Sequence, residues 1–140
     1  MAQSTSPAAQ PAKRAARAHA AHSMSATDTA HLHYIPPAHG STLYEEGLAS
    51  GTLPGRMRAR FNIGATVTAT FTIYTQNGTI NGRGSATPHG SGTYESFAGS
   101  IQVTGGTGRY QHAHGHAGLY GTFNRRTYGL VVQTTGRLSY

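Results

Sequence analysis

The chain has 140 residues, among them 11 Lys or Arg, four acids and no cysteine. This length suits one domain with a single core and is too short for two independent ones. The absence of cysteine excludes disulfides, thiolate metal sites and thiol nucleophiles, while the excess of positive charge favours attraction to polyanions at low salt without implying recognition.

The composition changes at about Pro37. All 19 glycines lie after this point, whereas the first 37 residues hold eleven alanines and few larger apolar side chains. A segment with so little apolar surface cannot offset the entropy of ordering its chain. We therefore predict a disordered, basic, alanine-rich tail over residues 1–37 and one folded domain over residues 38–140.

The N-terminal segment also bears on localisation. It holds neither an apolar run of 18 residues that would span a membrane nor the apolar core of a secretory signal. An Ala/Gln/Ser/Pro-rich stretch directly after Met1 is typical of an exported protein whose signal has been removed, so we expect a secreted or periplasmic protein. An alanine-rich leader with Arg and Ser but almost no acid equally fits an organellar transit peptide.

From Gly40 onward, side chains alternate with a period of two, which predicts β-strands. The clearest stretch, residues 66–74, has threonine on one face and apolar side chains on the other. It ends at Asn77-Gly78, a dipeptide that favours a tight turn, and residues 79–85 follow at once. Residues 66–85 are therefore predicted to form a hairpin.

Other segments show the same alternation. Residues 56–63 place three arginines on one face and apolar side chains on the other, and residues 93–104 place Glu95 on the face of an apolar row. Further candidate strands are 41–47, 109–115, 118–124 and 127–140. No capped amphipathic helix of ordinary length lies between these segments, so helix should be a minor component.

Short antiparallel strands at this spacing favour either a closed barrel or a two-sheet sandwich. Glycines inside the strands weaken a flat sheet but suit tight bends and strong coiling. We therefore predict an all-β fold, a closed antiparallel barrel of about eight strands. The interior of such a barrel is filled by side chains or holds one small ligand, which makes the lumen the first place to look for a site.

Residues 99–119 carry an extended pattern of an apolar strand, a glycine-rich turn, an aromatic residue and a second strand. Its elements are, in order, Val103, Gly105 to Gly108, Tyr110, Ala113 and Gly115. The glycine-rich turn joins two strands and has no helix after it to hold a phosphate, which argues against a nucleotide loop. The pattern resembles the allene oxide cyclase and dirigent barrel superfamily, and residues 71–82 resemble that family's preceding hairpin. The resemblance covers about residues 40–140.

This resemblance implies a function. Enzymes of these families use a preshaped, mostly apolar cavity to bind a reactive oxylipin, polyene or phenolic intermediate and steer its ring closure or coupling, and they need no metal or organic cofactor. The chain departs from the dirigent pattern at His114, where those proteins usually carry arginine, so that arginine's role is not transferred. The alternative is a non-catalytic exported barrel that binds an apolar ligand or serves a structural role.

Two acids are candidate catalytic residues. Glu95, the first candidate, shares the parity of Phe97, Ile101 and Val103, so it lies in the lumen if that row does. Glu45, the second candidate, shares the parity of Leu43. A carboxyl group there would be desolvated and suited to act as a general acid. A salt bridge at the barrel rim explains Glu95 at least as well. The candidate substrate-binding residues are Phe61, Phe71, Phe97 and Tyr110.

Two clusters of basic residues have simpler interpretations than function. His112, His114 and His116 share one parity, but successive same-face residues of a strand are ~6.5–7 Å apart, so a metal site would need a bulge and a polar outer face is the simpler explanation. The row of Arg56, Arg58 and Arg60 lacks interleaved aromatic residues along its own strand, which favours a solvated or inter-subunit face over specific nucleic-acid binding.

The last segment, residues 127–140, has apolar residues on both parities. A strand buried on both faces needs a cover outside the barrel. This cover is either the N-terminal tail or another subunit. The resembling families associate through outer barrel faces, so we expect a homo-oligomer, a dimer or trimer.

Overall fold

The computed structural model describes residues 23–90 and 92–140. They form a closed antiparallel barrel in which each strand pairs with the next and the first pairs with the last. The strands are β1 (Ser23–His39), β2 (Thr42–Gly51), β3 (Gly55–Asn62), β4 (Val67–Thr75), β5 (Gly78–His89), β6 (Tyr94–Gly106), β7 (His114–Asn124) and β8 (Leu130–Ser139). The predicted all-β class and the closed barrel of eight strands are confirmed.

Helix is scarce throughout these residues. The helical element they contain is a 3₁₀ turn at Gly108–Tyr110. Nothing in the described part has the length and apolar character of a membrane-crossing helix.

The predicted domain boundary at residue 37 is wrong, because residues 23–37 belong to β1. This strand pairs with β8 from Ser23 to Leu32 and with β2 from Asp28 onward, so it closes the barrel. Its inward face carries Ala30 and Leu32, both buried in the core. Small alanine side chains and interleaved Thr and His hid this alternation in the composition. Residues 1–22 of the predicted tail lie outside the described residues.

The predicted hairpin is confirmed as β4 and β5, with the turn one residue earlier than expected. Thr75 pairs with Gly78, so Gln76 and Asn77 form the turn and the positive φ falls on Gly78 (φ 139°). The hydroxyl of Thr75 donates to the Gly78 carbonyl (2.7 Å) and accepts from the Asn77 N–H (3.1 Å). A side chain therefore fastens this turn.

The predicted strand at residues 109–115 is wrong. The Tyr110 N–H donates to the Thr107 carbonyl (3.1 Å) and the Ala113 N–H donates to the Tyr110 carbonyl (2.9 Å), so the chain turns here before β7 begins at His114. This turn buries the ring of Tyr110 under the barrel. Residues 118–124 continue β7, and the segment predicted from 127 becomes a strand at Leu130.

The two ends of the barrel differ. We call the end at which β1, β3, β5 and β7 finish the open end, and the opposite one the closed end. A cluster of buried apolar side chains fills the closed end: Leu53, Ile80, Val103, Tyr110, Ala113 and Leu138. Ile80 and Leu138 are 0% and 2% exposed, so packed side chains close this end of the barrel to solvent.

Glycines inside the strands make room for large side chains in a narrow interior. A Cβ atom at Gly121 would lie 2.7 Å from Cζ of Phe97, and one at Gly82 would overlap the ring of Phe71. The sequence predicted bends at these positions. Their clearer role is to let aromatic rings lie flat against the opposite strand inside the barrel.

A pair of truncations tests the corrected boundary. Removing residues 1–22 leaves β1 whole, so we expect thermal unfolding to stay cooperative, with Tm changed by only a few degrees. Removing residues 1–37 deletes most of the strand that pairs with both β2 and β8, exposes two strand edges and uncovers the core beside Leu32. This shorter chain should lose the cooperative transition followed by circular dichroism. An unchanged Tm in the chain starting at residue 38 would contradict the closure by β1.

Candidate functional site

The barrel interior contains a cavity of about 170 Å³ towards the open end, which we call the lumen cavity. Strands β2 to β8 all contribute to its wall, which is mostly apolar. Its large apolar lining residues include Leu43, Met57, Phe61, Phe71, Phe97, Leu119, Phe123 and Leu130. Ile63, which is 42% exposed, and Gly64 also line it, so the cavity reaches the open end.

A second, smaller cavity of about 80 Å³ lies towards the closed end. Met57, Phe71, Ile101 and Val132 line both spaces and therefore form the floor of the lumen cavity. A cavity of ~150 Å³ lined by apolar side chains holds benzene in another protein, so the lumen cavity has room for a small ring.

The four aromatic residues predicted to bind substrate do not all lie at the same end of the barrel. Phe61, Phe71 and Phe97 line the lumen cavity. Tyr110 does not. It lies in the closed-end core, with its ring 4.8 Å from that of Tyr140 in an edge-to-face contact. Sequence reasoning missed Phe123, Leu119 and Met57 as lining residues, although each follows the inward parity of its strand.

Glu45 is the most deeply buried polar group facing the lumen cavity. It lies on the inward face of β2, opposite Tyr34 of β1 and Ala59 of β3. The residue is 1% exposed, and neither of its carboxyl oxygens has a hydrogen-bond partner in the described part of the chain. The small side chain of Ala59 leaves the carboxyl group bordering the cavity rather than covered by a neighbour.

Burial determines the protonation of this group. Desolvation raises the pKa of Glu45 from its ordinary value of 4.5 to about 8, because no cation or donor compensates the charged form. At neutral pH Glu45 is therefore mainly a neutral carboxylic acid. A neutral carboxyl group carries one O–H donor that can be directed at an oxygen atom in the cavity.

Glu95 also lines the lumen cavity, but its environment is different. One oxygen, Oε2, accepts from Nη2 of Arg125 at 2.6 Å and from its Nε at 2.9 Å. The Arg125 backbone N–H also donates to the carbonyl of Thr93 (2.8 Å). Glu95 therefore ties the 125–129 connection to the β5–β6 connection at the open end, as the rim salt bridge considered from the sequence would do.

Three rings cover one side of the open end. Tyr128 stacks on Phe123 with 5.9 Å between centroids and 4° between planes, and Tyr34 meets Tyr128 edge-on at 5.1 Å. Tyr128 has a left-handed backbone with φ 61°, which bulky residues rarely adopt. The contacts with Tyr34 and Phe123 hold the Tyr128 ring in place next to Phe123, which lines the lumen cavity.

A second buried acid was assigned to the tail by sequence reasoning. Asp28 lies on the inward face of β1 and lines the smaller cavity, where its Oδ1 accepts from the Leu53 N–H at 2.7 Å. Burial raises the pKa of Asp28, while the bond from Leu53 lowers it. Asp28 shares its parity with Ala30 and Leu32, and this pattern in the sequence could have indicated that it faces inward.

The histidines and arginines singled out in the sequence lie on the outside. His114 and His116 lie on the outward face of β7, whereas His112 falls in the preceding turn, so the three do not share one strand face. The described residues contain no group of three His, Cys, Asp or Glu placed to hold a metal ion. Arg56, Arg58 and Arg60 are exposed on the outward face of β3, as predicted.

Comparisons of the chain with protein-family models, with curated proteins and with solved structures give no match.

The burial of Glu45 predicts how stability depends on pH. Because its pKa is raised on folding, the native state holds the proton more strongly than the unfolded chain between about pH 4.5 and 8, so this group lowers stability progressively as pH rises through that window. The full effect is at most about 5 kcal/mol. Glu45→Gln cannot ionise and should flatten this part of the curve of unfolding free energy against pH. Parallel curves for the two proteins from pH 5 to 9 would show that Glu45 is not desolvated.

The Glu95–Arg125 pair predicts a local effect at the rim. Because this pair is partly exposed, a double-mutant cycle with Glu95→Gln and Arg125→Gln should give a coupling energy of about 1 kcal/mol or less. The same changes should speed hydrogen exchange at the Arg125 amide, which bonds to Thr93 across the rim. Unchanged exchange at that amide would show that the pair does not hold the two connections together.

Proposed function

We propose that this protein is a cofactor-free barrel of the cyclase or isomerase type that binds a small apolar molecule carrying an epoxide or carbonyl oxygen in the lumen cavity. The observation that carries the proposal is the carboxyl group of Glu45, which is buried beside a mostly apolar cavity and has no hydrogen-bond partner among the described residues. The resemblance of residues 40–140 to allene oxide cyclase and dirigent barrels supports the same class of reaction.

The lumen cavity supplies binding and orientation. Apolar side chains on seven strands surround the ligand, so burial of its apolar surface is the main source of affinity. The packed closed end prevents the ligand from passing through the barrel. A ligand held in one orientation on the floor formed by Met57 and Phe71 reacts without the entropy cost of finding that orientation.

Glu45 supplies the proton. Its O–H donates to the substrate oxygen as an epoxide C–O bond breaks, and the electron pair of that bond moves to oxygen. The carboxylate left behind stabilises the carbocation, which is then quenched by a bond formed within the same molecule. The product returns one proton to Glu45, so the reaction is an isomerisation that consumes nothing. A pKa of about 8 keeps the group protonated, and thus ready as an acid, at neutral pH.

Glu95 has a different part in this proposal. Its charge is neutralised by Arg125 at the rim, so it does not act as the acid. It shapes the mouth of the cavity and keeps the 125–129 connection in place beside Phe123.

A non-catalytic ligand carrier is the second candidate. It is favoured by the scarcity of polar side chains in the cavity wall, where the inward strand faces contribute Glu45 and Glu95 among mostly apolar residues. A carrier would bind the same probes without changing them. Export and homo-oligomerisation stay predictions from the sequence and are compatible with both functions.

Styrene oxide is a suitable probe, because acid opening of its epoxide followed by a hydride shift gives phenylacetaldehyde, an isomer. We expect the protein to accelerate this conversion, measured by gas chromatography at pH 7, and the rate to decline above about pH 8 as Glu45 ionises. Glu45→Gln should reduce the rate by about 10² or more while leaving the fold intact.

Two controls make the result interpretable. Glu95→Gln alters the other acid of the cavity wall and should keep most of the activity. Ethylbenzene has the same carbon skeleton without the epoxide and should bind comparably to the wild type and to Glu45→Gln. Binding of both compounds with no turnover would favour the carrier, and equal turnover in the wild type and Glu45→Gln would remove Glu45 from the mechanism.

A further inference from the structure

The outer face of β2 to β7 carries a continuous polar groove that the lumen does not use. It consists of two concave stretches of about 660 and 410 Å³ that share Thr70 as a lining residue. We call it the outer groove. One row of directly paired residues crosses it from strand to strand: Tyr44, Arg60, Thr70, Arg83, Gln102 and His116.

The charge of this groove is uncompensated at two points. Arg60 and Arg83 are exposed, and no carboxylate in the described part lies within 4 Å of either guanidinium. Arg83 donates instead to the neutral Oε1 of Gln102 at 3.2 Å. The acid of this face, Glu46, lies beside Arg58 and His33, away from the crossing row. Arg60 and Arg83 are two strands apart, ~9.5 Å along the row.

Neutral hydroxyl and amide groups fill the space around these two cations. A second row of paired residues runs alongside the first, and it consists of Asn62, Thr68, Ser85 and Ser100. On the other side, the hydroxyl of Thr72 donates to Oδ1 of Asn81 at 2.9 Å. Such groups donate to and accept from sugar hydroxyls, whereas guanidinium groups pair with carboxylates.

We propose that the outer groove binds a linear acidic polysaccharide whose negative charges are separated by neutral sugars. Two separated guanidinium groups match carboxylates that recur along such a chain, and the hydroxyl and amide rows match the sugars between them. The length of the groove across several strands suits a polymer rather than a single small anion.

A single-stranded nucleic acid fits this groove less well. Its bases need free aromatic faces for stacking, and its negative charges recur at every sugar rather than at every second one. The two tyrosines beside the arginines are already engaged: Tyr44 meets His39 edge-on at 6.1 Å, and the guanidinium of Arg56 lies 5.6 Å from the centre of the Tyr74 ring.

The test uses a hyaluronan decasaccharide, which carries one carboxylate on every second sugar, with the full chain in 150 mM NaCl. At this ionic strength, attraction between distant charges is largely screened. Arg60→Gln with Arg83→Gln should weaken binding about tenfold or more by calorimetry, because each lost guanidinium removes a charge-assisted contact. Thr70→Val, between them, should weaken binding by a smaller factor.

The matched control is Arg109→Gln with Arg126→Gln. It also removes two positive charges, one at the closed-end turn and one at the open-end connection. It should change the Kd less than about twofold. Lys13, Arg14 and Arg17 are present in every variant, so differences between variants report on the barrel. Melting curves establish that each variant is folded.

Three outcomes would overturn the proposal. The first is no binding of hyaluronan at 150 mM NaCl, and the second is equal weakening by both double variants, which would mean attraction by net charge alone. Tighter binding of a ten-residue oligothymidylate that depends on Arg60 and Arg83 would assign the groove to nucleic acid instead.

Discussion

Pairing of β1 with both β2 and β8 is the constraint on which the rest of the structure depends. Once the sheet is closed, every strand has one face in a narrow interior, and the side chains on that face must share a fixed volume. Glycine on the neighbouring strand makes room for some of the large rings, as at Gly82 beside Phe71. The interior is filled at one end and leaves the lumen cavity at the other, so closure also determines where a ligand can bind.

Closure of the barrel also buries Glu45, so that ionising its carboxyl group costs free energy of folding. An ionised carboxylate at a 1% exposed position without a donor would cost at most about 5 kcal/mol, a large share of the 5–15 kcal/mol that stabilises an ordinary domain. The barrel avoids most of this cost at neutral pH by keeping the group protonated. An apolar residue of similar size would carry no such cost, and groups retained in this condition are characteristic of functional sites.

Glu45 and Glu95 show how two acids of one cavity wall acquire different chemistry. Both have inward parity, and sequence reasoning placed both in the lumen. The difference comes from a single neighbour, because Arg125 reaches Glu95 at the rim and no basic side chain of residues 23–90 or 92–140 pairs with Glu45. The sequence therefore predicted the candidate acids but ranked Glu95 first, since contacts between residues 30 positions apart cannot be read from alternation.

Other parts of the fold also differ in whether the local sequence pattern was enough to predict them. Alternation with a period of two was enough for the hairpin of β4 and β5 and for the outward arginines of β3, because each depends on local pattern alone. It failed for β1, where alanine and histidine dilute the pattern and pairing with β8 depends on residues a hundred positions away. It failed again at Tyr110, where backbone hydrogen bonds of a 3₁₀ turn replace the expected strand. The cross-strand rows of the outer groove likewise appear only once the register is known.

The ionisation of Glu45 tests the account most directly. Carboxyl carbon resonances of ¹³C-labelled protein can be followed by NMR from pH 4 to pH 10, with the Glu45 signal assigned by its loss in Glu45→Gln. A desolvated Glu45 carboxyl group should give this signal a midpoint of about 8. A midpoint near 4.5, the ordinary value for glutamate, would mean that the carboxyl group is solvated or paired, and the neutral acid in the lumen would be contradicted.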